Sequence, residues 1–224
     1  MVITISRYTK KKINKSKSKT KSKSKTKSQL NKKFDKAYLK PFSRLSYKEL
    51  QELSTITTDR EIMKTIGKGN IWTLEDLQKF QREESMENNK YSTPDKYHLR
   101  KHFTYILMIA ENGLYKPIGF IEGRKNAHLL PKTISKYNND LLMRMLISRE
   151  YAGKGFGKLI IKLFIETYSG MIKKSFIKSF KLYSDIDPDN IASIKIHLNN
   201  GFLPTGKYKY PNGKIYNRYV YSFL

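Results

Sequence analysis

The chain has 224 residues, and its 45 Lys and Arg against 19 Asp and Glu give it a formal net charge of +26. The complete lack of cysteine excludes a disulfide framework, a thiolate metal site and a cysteine nucleophile. Its apolar stretches are far shorter than the roughly 20 residues of a membrane span, so we expect a protein of the cytoplasm or nucleus that is neither secreted nor in contact with a membrane. The charge alone suggests an anionic partner such as nucleic acid.

Half of the excess positive charge lies at the start of the chain. Residues 1–36 hold 14 basic side chains and a single acidic one, and Lys alternates with Ser or Thr over most of this segment. A segment with so few apolar groups cannot bury enough surface to offset the entropy of ordering it. We therefore predict a disordered basic tail over residues 1–36 and a globular domain over residues 37–224.

Helix-capping signals open the globular part. Two motifs have the spacing of a capping box, in which a hydroxyl and a carboxylate bind backbone N–H groups of the first helical turn: Thr58 with Glu61, and Thr73 with Asp76. We expect helices near residues 47–53 and 74–84.

Strand and turn signals follow in chain order. Residues 103–109 and 118–121 are largely apolar and flank the turn signal Asn112-Gly113, which predicts a buried hairpin. The later elements are expected as a strand over 141–147, a helix from Phe156, a strand over 180–186, a helix that opens at Asp187-Pro188 and stops at Gly201, and a hairpin of residues 202–210 and 215–223. This order predicts a mixed α/β domain of the α+β-like type rather than a doubly wound one.

The strongest chemical signal is the glycine-rich segment between the strand 141–147 and the next helix. Glycines at alternate positions let backbone N–H groups converge, and the helix N-terminus adds its positive end, so the segment suits a phosphate. The predicted phosphate-binding residues are Gly153, Lys154, Gly155, Phe156, Gly157 and Lys158. The segment is not a P-loop, because Leu159 stands where a P-loop has its magnesium-binding hydroxyl. A plain turn between strand and helix is the alternative.

A second motif follows further along the chain. Asn190, Ser193 and His197 are spaced i, i+3 and i+7, so they share one face of the last predicted helix, and Gly201-Phe202 closes the unit. Together the two motifs resemble the GNAT superfamily of N-acetyltransferases, whose acetyl-CoA motif matches residues 152–157 and whose later motif matches residues 190–202. The resemblance implies a central twisted mixed sheet, mostly antiparallel, with helices on both faces. It also implies acetyl-CoA as the cosubstrate, no metal, and direct transfer of acetyl to an amine.

The upstream segment is similar to one branch of that superfamily. Residues 45–80 and 116–121 have the layout of the branch that contains the ribosomal-protein alanine acetyltransferases. The resemblance therefore extends over about residues 40–224 and leaves the basic tail outside it.

The resemblance also implies roles for the second motif. It places Asn190 and Ser193 among the residues that bind the cosubstrate, and His197 where many members have the tyrosine that protonates the leaving thiolate. Histidine is able to do this, because its reference pKa of about 6.5 makes it a stronger acid than tyrosine. The alternative is a partly exposed His197 near a helix C-terminus, where a cation is favoured. Ala152 departs from the Gln or Arg that the family prefers, which weakens one expected pyrophosphate contact.

Two further roles follow from the resemblance. Asp185, at the end of its strand, stands where some members have the base that deprotonates the amine, whereas Asp187 and Asp189 are expected to favour the helix N-terminus. The developing oxyanion would be held by a backbone N–H group of the strand before the glycine-rich segment, at Met145, Leu146 or Ile147.

The acceptor is less defined than the cosubstrate. A peptide N-terminus, with a pKa of about 8, is easier to deprotonate than a lysine near about 10.4, which slightly favours protein N-termini over lysines and small-molecule amines. The rival hypothesis is a module that binds nucleic acid or the ribosome through its basic tail on a non-catalytic scaffold. The histidines at 98, 102 and 128 have no ligand spacing, so no metal is predicted.

Overall fold

The computed structural model describes residues 36–64, 69–125, 139–175 and 179–223. Seven strands form one sheet in the order β1-β2-β3-β4-β5-β7-β6. The strands are β1 (Ala37–Pro41), β2 (His102–Glu111), β3 (Leu114–Arg124), β4 (Leu141–Ile147), β5 (Phe180–Ile186), β6 (Leu203–Lys209) and β7 (Ile215–Phe223). The helices are α1 (Tyr47–Thr57), α2 (Arg60–Met63), α3 (Leu74–Lys90), α4 (Phe156–Lys173) and α5 (Ile191–Leu198). The predicted basic tail lies outside the described residues, apart from Lys36.

The sheet is mixed and carries a hydrophobic core on each face. All neighbouring strands are antiparallel except β4 and β5. One core packs α4 against the sheet, with Phe164 and Tyr168 fully buried, and the other packs α1, α2 and α3 against the opposite face, with Leu53 and Met63 fully buried. The predicted mostly antiparallel sheet with helices on both faces is therefore confirmed.

Of the two predicted capping boxes, one is present. At the start of α3, the Asp76 N–H donates to the Thr73 hydroxyl oxygen at 3.2 Å, and the Thr73 N–H donates to the Asp76 carboxylate at 2.9 Å. The prediction for Thr58 is wrong, because Asp59 is the residue that caps α2 and accepts from the Glu61 N–H at 2.9 Å. The Thr58 hydroxyl instead donates to the carbonyl of Ser54 in α1, so it is already used by the preceding helix.

The last helix begins later than predicted. Its cap is Asn190, whose side-chain oxygen accepts from the Ser193 N–H at 3.0 Å, and not Asp187. The Asp187 carboxylate accepts from the Asp189 N–H at 3.1 Å, so it closes a turn before the helix. Gly201 has a φ of +84° and ends the unit as expected.

One strand of the sheet was not predicted. β1 pairs with β2 at one edge of the sheet. The sequence did not indicate it, because its five residues include a lysine, adjoin the basic tail and have no strand-like alternation. The helix expected near residues 47–53 is α1, and it begins at a capping box of Ser46 and Glu49. Within the described ranges, none of the helices has the length and apolar character that crossing a membrane requires.

Candidate functional site

The glycine-rich segment forms a loop that turns β4 into α4. We call residues 152–157 the Gly loop. Gly153 and Gly155 have φ values of +72° and +88°, which side-chain-bearing residues rarely adopt, so both positions require glycine. Gly155 caps α4 without a side chain, and the first N–H groups of a helix have no partner within it. The start of this 18-residue helix therefore presents N–H donors and its positive end at an exposed loop.

The third glycine has a different role. A Cβ atom on Gly157 would lie 2.8 Å from Cδ1 of Ile196 and 3.4 Å from Cε of Met145. A side chain at this position would require Ile196 to shift, so Gly157 lets α4 pack closely against α5 and β4. The two motifs that the sequence separates are thus packed together.

Lysine side chains surround the Gly loop. Lys154 lies 5.1 Å from the ring centre of Tyr151, and Lys116 lies 5.0 Å from the same ring. The Tyr151 hydroxyl donates to Glu111 at 3.0 Å, which anchors the ring. Lys158, on the first turn of α4, is exposed. The loop therefore has lysine charges close to its backbone donors, as an anion site requires.

The parallel strands separate beside this loop. β4 and β5 pair only through Leu141 with Leu182 and Leu142 with Tyr183, although each strand continues against its other neighbour. The space between residues 143–147 of β4 and 184–186 of β5 is called the β4–β5 gap below. It opens toward the end of β4 that leads into the Gly loop.

The edge of β4 that faces the gap carries backbone groups unpaired with β5. The Ser148 N–H donates to the Ile118 carbonyl at 2.8 Å, and in an antiparallel pair alternate residues turn their backbone groups toward the same neighbour. Leu146 therefore pairs with β3, whereas the N–H groups of Met145 and Ile147 face the gap. Of the three residues predicted for the oxyanion site, Leu146 is the one whose backbone faces β3, and its side chain packs in the core beside α1.

His197 is buried rather than partly exposed. Only 2% of it is exposed, its Nδ1 lies 2.8 Å from the Ser193 carbonyl and its Nε2 lies 3.0 Å from Oγ of Ser184. A carbonyl only accepts, so Nδ1 carries the proton and Nε2 accepts from the Ser184 hydroxyl. Burial lowers the pKa of His197 although the bond to Ser193 opposes this, which makes the alternative of an exposed cation wrong.

Asn190 and Ser193, the other two residues of this motif, support α5. Asn190 caps the helix, and Oγ of Ser193 lies 3.4 Å from Nδ1 of His197. Both side chains are thus engaged within α5, and none of these bonds involves the Gly loop.

Asp185 lies on the opposite face of the sheet from His197. Its Oδ1 and Oδ2 accept from Nε and the terminal nitrogen Nη2 of Arg218, each at 2.7 Å, and Oδ2 also accepts from the Tyr210 hydroxyl at 3.0 Å. A carboxylate has about four acceptor positions, so three of them are occupied. This arrangement fixes Arg218 and Tyr210 and leaves Asp185 ion-paired at the rim of the gap.

A second buried carboxylate lies two strands away on that face. Glu122 is fully buried and contacts Nδ1 of His102 at 3.1 Å, Nε of Arg124 at 3.5 Å and Nε of Arg144. Burial alone would raise the pKa of Glu122, but these neighbours outweigh it and hold the pKa below its usual range. Arg144 also lies over the ring of Trp72, 4.8 Å from its centre.

The family model described as Acetyltransferase (GNAT) family matches residues 71–202, more than half of the chain. This chain belongs to the GNAT family of acetyltransferases. The family inferred from the Gly loop and from the motif over 190–202 is confirmed, and with it acetyl-CoA as the cosubstrate. None of the curated proteins matches this GNAT chain in sequence.

Solved structures share the GNAT fold at low sequence identity. The aminoglycoside acetyltransferase AAC(6')-Ib with coenzyme A is 18% identical, with 83% of this chain and 94% of that one covered and a TM-score of 0.56. RimL, a ribosomal L7/L12 alpha-N-protein acetyltransferase in complex with coenzyme A, is 14% identical, with 83% and 93% covered and a TM-score of 0.57. The microcin C7 self-immunity acetyltransferase MccE with acetyl-CoA and AMP is 19% identical, with 85% and 93% covered and a TM-score of 0.56. The layout predicted from residues 45–80 is thus confirmed at the level of the fold.

Several site residues of this GNAT domain were not predicted. Ser184 is an inward-facing polar residue between Leu182 and Ile186, which is a signal that the strand pattern does contain. Arg144 and Arg218 give no comparable signal, because an arginine on a strand is usually expected at the surface. Among the described residues, no group of three or more His, Asp or Glu side chains is arranged to hold a metal ion.

Proposed function

We propose that this acetyltransferase moves acetyl from acetyl-CoA directly to a primary amine, and that the amine of a protein N-terminus is its preferred acceptor. The observation that carries the proposal is the β4–β5 gap beside the Gly loop, because one cleft then joins an anion site to unpaired backbone N–H groups.

The Gly loop is the proposed site for the phosphates of the cosubstrate. The N–H groups of Gly153, Gly155 and Gly157 and the charges of Lys154 and Lys158 supply donors and positive potential there. The pantetheine arm would then run into the β4–β5 gap, where each side chain of β4 turns away and leaves backbone to line the cleft.

The backbone of β4 is the proposed oxyanion site. The N–H groups of Met145 and Ile147 face the gap, and a donor aimed at the thioester oxygen stabilises the charge that develops when the amine attacks. Because these groups belong to a strand that β3 holds in register, they need no reorganisation during the reaction.

The two proton transfers, to the leaving thiolate and from the attacking ammonium, are proposed to occur on opposite faces of the gap. On one face, the pair of Ser184 and His197 is proposed to protonate the leaving thiolate: once His197 has taken up a proton from solvent, the Ser184 hydroxyl gives its proton to sulfur and regains one from Nε2 of His197. On the other face, Asp185 retains one acceptor position and is the proposed acceptor of the ammonium proton. The new amide bond forms as the thioester C–S bond breaks, and the thiolate leaves as the free thiol after protonation.

A peptide N-terminus is favoured as the acceptor for a chemical reason. An α-amino group has a pKa of about 8 and a lysine one of about 10.4, so the former needs less help to lose its proton. RimL, whose fold is similar, is described as an alpha-N-protein acetyltransferase. We propose in addition that the protein acts in the cytoplasm or nucleus and that its basic tail binds an anionic partner such as nucleic acid or the ribosome.

Isothermal titration with acetyl-CoA tests the cosubstrate site. We expect binding at sub-millimolar concentration, and at least about tenfold weaker binding for Gly157→Val, since its side chain would strike Ile196. Gly170→Ala is the matched control in the same helix, because a Cβ there meets nothing within 4 Å. Absence of binding by the wild-type chain would contradict the proposal.

A further inference from the structure

The rim of the β4–β5 gap carries two charged side chains on the face opposite α4. Leu142 and Tyr183 form the last shared rung of the two strands, and side chains two residues later point to the same face. These positions are Arg144 on β4 and Asp185 on β5. An acceptor that approaches the gap from this face therefore passes between them.

Asp185 on the rim and Glu122 on the neighbouring strand β3 are both compensated by arginine. Asp185 has a bidentate pair with Arg218, and its side chain is only 2% exposed. Glu122 is contacted by Arg124 and Arg144 together, so two arginines share a single carboxylate. The net charge of these side chains is thus positive, and the excess positive charge lies on the side of Arg144.

Arg144 is held in a fixed orientation. Its Nε binds Glu122, and its guanidinium lies 4.8 Å from the ring centre of Trp72 and 5.8 Å from that of Phe120. Trp72 is in turn fixed to Thr57 by a pair of hydrogen bonds at 3.1 and 2.8 Å. A stacked guanidinium loses little further entropy when it binds a ligand.

The outer edge of that guanidinium is available. The side chain of Arg144 is 29% exposed, and its two terminal nitrogens have no hydrogen-bond partner among the described residues. Two parallel N–H donors in one plane match the two oxygens of a carboxylate. Lysine cannot provide this arrangement, because its ammonium is a single point charge.

We propose that Arg144 selects the acceptor by binding a carboxylate that the acceptor carries close to its reactive amine. This proposal rests on the proposed function, and it narrows the acceptor to an acidic amine, such as a peptide N-terminus followed by Asp or Glu or the free α-amino acid form. The charge of the domain agrees with it, since residues 37–224 hold 31 basic and 18 acidic side chains and attract anionic acceptors more readily than polycationic amines.

Matched acceptors test the role of Arg144. Peptides with a free N-terminus, identical except for Glu-Glu or Gln-Gln after the first residue, are compared by release of free coenzyme A, together with a free amino acid and its amide. We expect the wild-type enzyme to favour the acidic member of at least one pair by about tenfold or more in kcat/KM, mainly through KM. A preference confined to the amino acid pair identifies an α-carboxylate as the group bound, and a preference within the peptide pair identifies a side chain.

Arg144→Lys keeps the charge beside Glu122 and removes the planar pair of donors. We expect it to lose most of the preference while its kcat for the Gln-Gln peptide and its affinity for acetyl-CoA stay within about twofold. Arg124→Gln is the control, because Arg124 contacts the same Glu122 but lies one strand further from the gap and is not stacked on Trp72. Equal rates for acidic and neutral acceptors, or an unchanged preference in Arg144→Lys, would overturn this inference and leave the proposed function intact. Acetyl-CoA binding without transfer to any of these amines would overturn both.

Discussion

Glu84 on α3 makes the stability of this protein depend on pH. β1 ends at Pro41, opposite Tyr105, so the next N–H group along β2, that of Thr104, has no strand partner on that side. Oε1 of Glu84 accepts from this N–H at 3.0 Å, whereas Oε2 is buried without a hydrogen-bond partner. Only 2% of Glu84 is exposed, and burial raises its pKa from the ordinary 4.5 to about 7 although the Thr104 N–H opposes the change.

The size of the effect follows from the two pKa values. In the unfolded chain the carboxyl loses its proton near pH 4.5, and in the folded protein near pH 7, so the folded state binds more protons between these values. The free energy of unfolding therefore falls as pH rises through this range, by about 3 kcal/mol for this residue. Below the range the stability from protonated Glu84 is fully present, and above the range it is lost.

Glu84→Gln removes the titration but keeps an oxygen for the Thr104 N–H. Urea unfolding of both proteins, followed by the fluorescence of Trp72, the single tryptophan, gives the free energy of unfolding at pH 4.5 and pH 8. Between pH 4.5 and pH 8, we expect the free energy of unfolding of the wild-type protein to fall by about 3 kcal/mol more than that of Glu84→Gln. His197 titrates with the opposite sign, because its lowered pKa costs stability on acidification, but it contributes equally to both proteins.

Glu83→Gln is the matched control for this experiment. Glu83 is the exposed neighbour of Glu84 on the same helix, so its replacement should leave the pH dependence of the wild-type protein unchanged. If Glu84→Gln shows the same pH dependence as the wild type, the reasoning from burial and the missing partner of Oε2 is refuted.

Two further predictions concern the reaction and the tail. His197→Phe and Ser184→Ala should each lower kcat at least about tenfold while acetyl-CoA affinity, measured by titration, changes less than about twofold, and the double variant should be no slower than the worse single one, since the two act as a unit. Full activity of either variant across the pH range would exclude the proton-donor role. Deletion of residues 1–36 should leave acetyl transfer intact and remove binding to a polyanion such as RNA. In the full chain this binding should weaken steeply with salt. Loss of acetyl transfer on deletion would contradict the proposal that the tail binds the anionic partner and the domain carries out the reaction.

Local features of this chain were predictable because they depend on neighbouring residues. The bounds expected for β4 and β5 match the structure, and the Thr73–Asp76 box opens α3 as its spacing requires. The Gly loop was recognisable for the same reason, since a positive φ at Gly153 and Gly155 is a property of the local backbone. Where two local signals competed, as at Thr58 and Asp59, sequence spacing did not show which side chain would reach the helix.

Burial within the last helix was harder to predict. The spacing of Ile191, Ile194 and Leu198 gives α5 an apolar face, but Ile191 and Leu198 are 54% and 45% exposed, whereas His197 is 2% exposed. The reason is Ser184 on β5, because its hydroxyl supplies a hydrogen-bond partner that lets a histidine lie in the interior.

The excess positive charge of the chain was likewise only partly interpretable from the sequence. Sequence alone determined that half of it lies in residues 1–36, that the domain has a mixed α/β order, and that a glycine-rich loop follows β4, because composition and local backbone geometry carry that information. Only the tertiary structure decided which charges remain available at the site. Arg218 is ion-paired with Asp185, a residue 33 positions away, whereas Arg144 is stacked on Trp72 and its terminal nitrogens have no hydrogen-bond partner among the described residues. These outcomes depend on strand register and on the separation of β4 from β5.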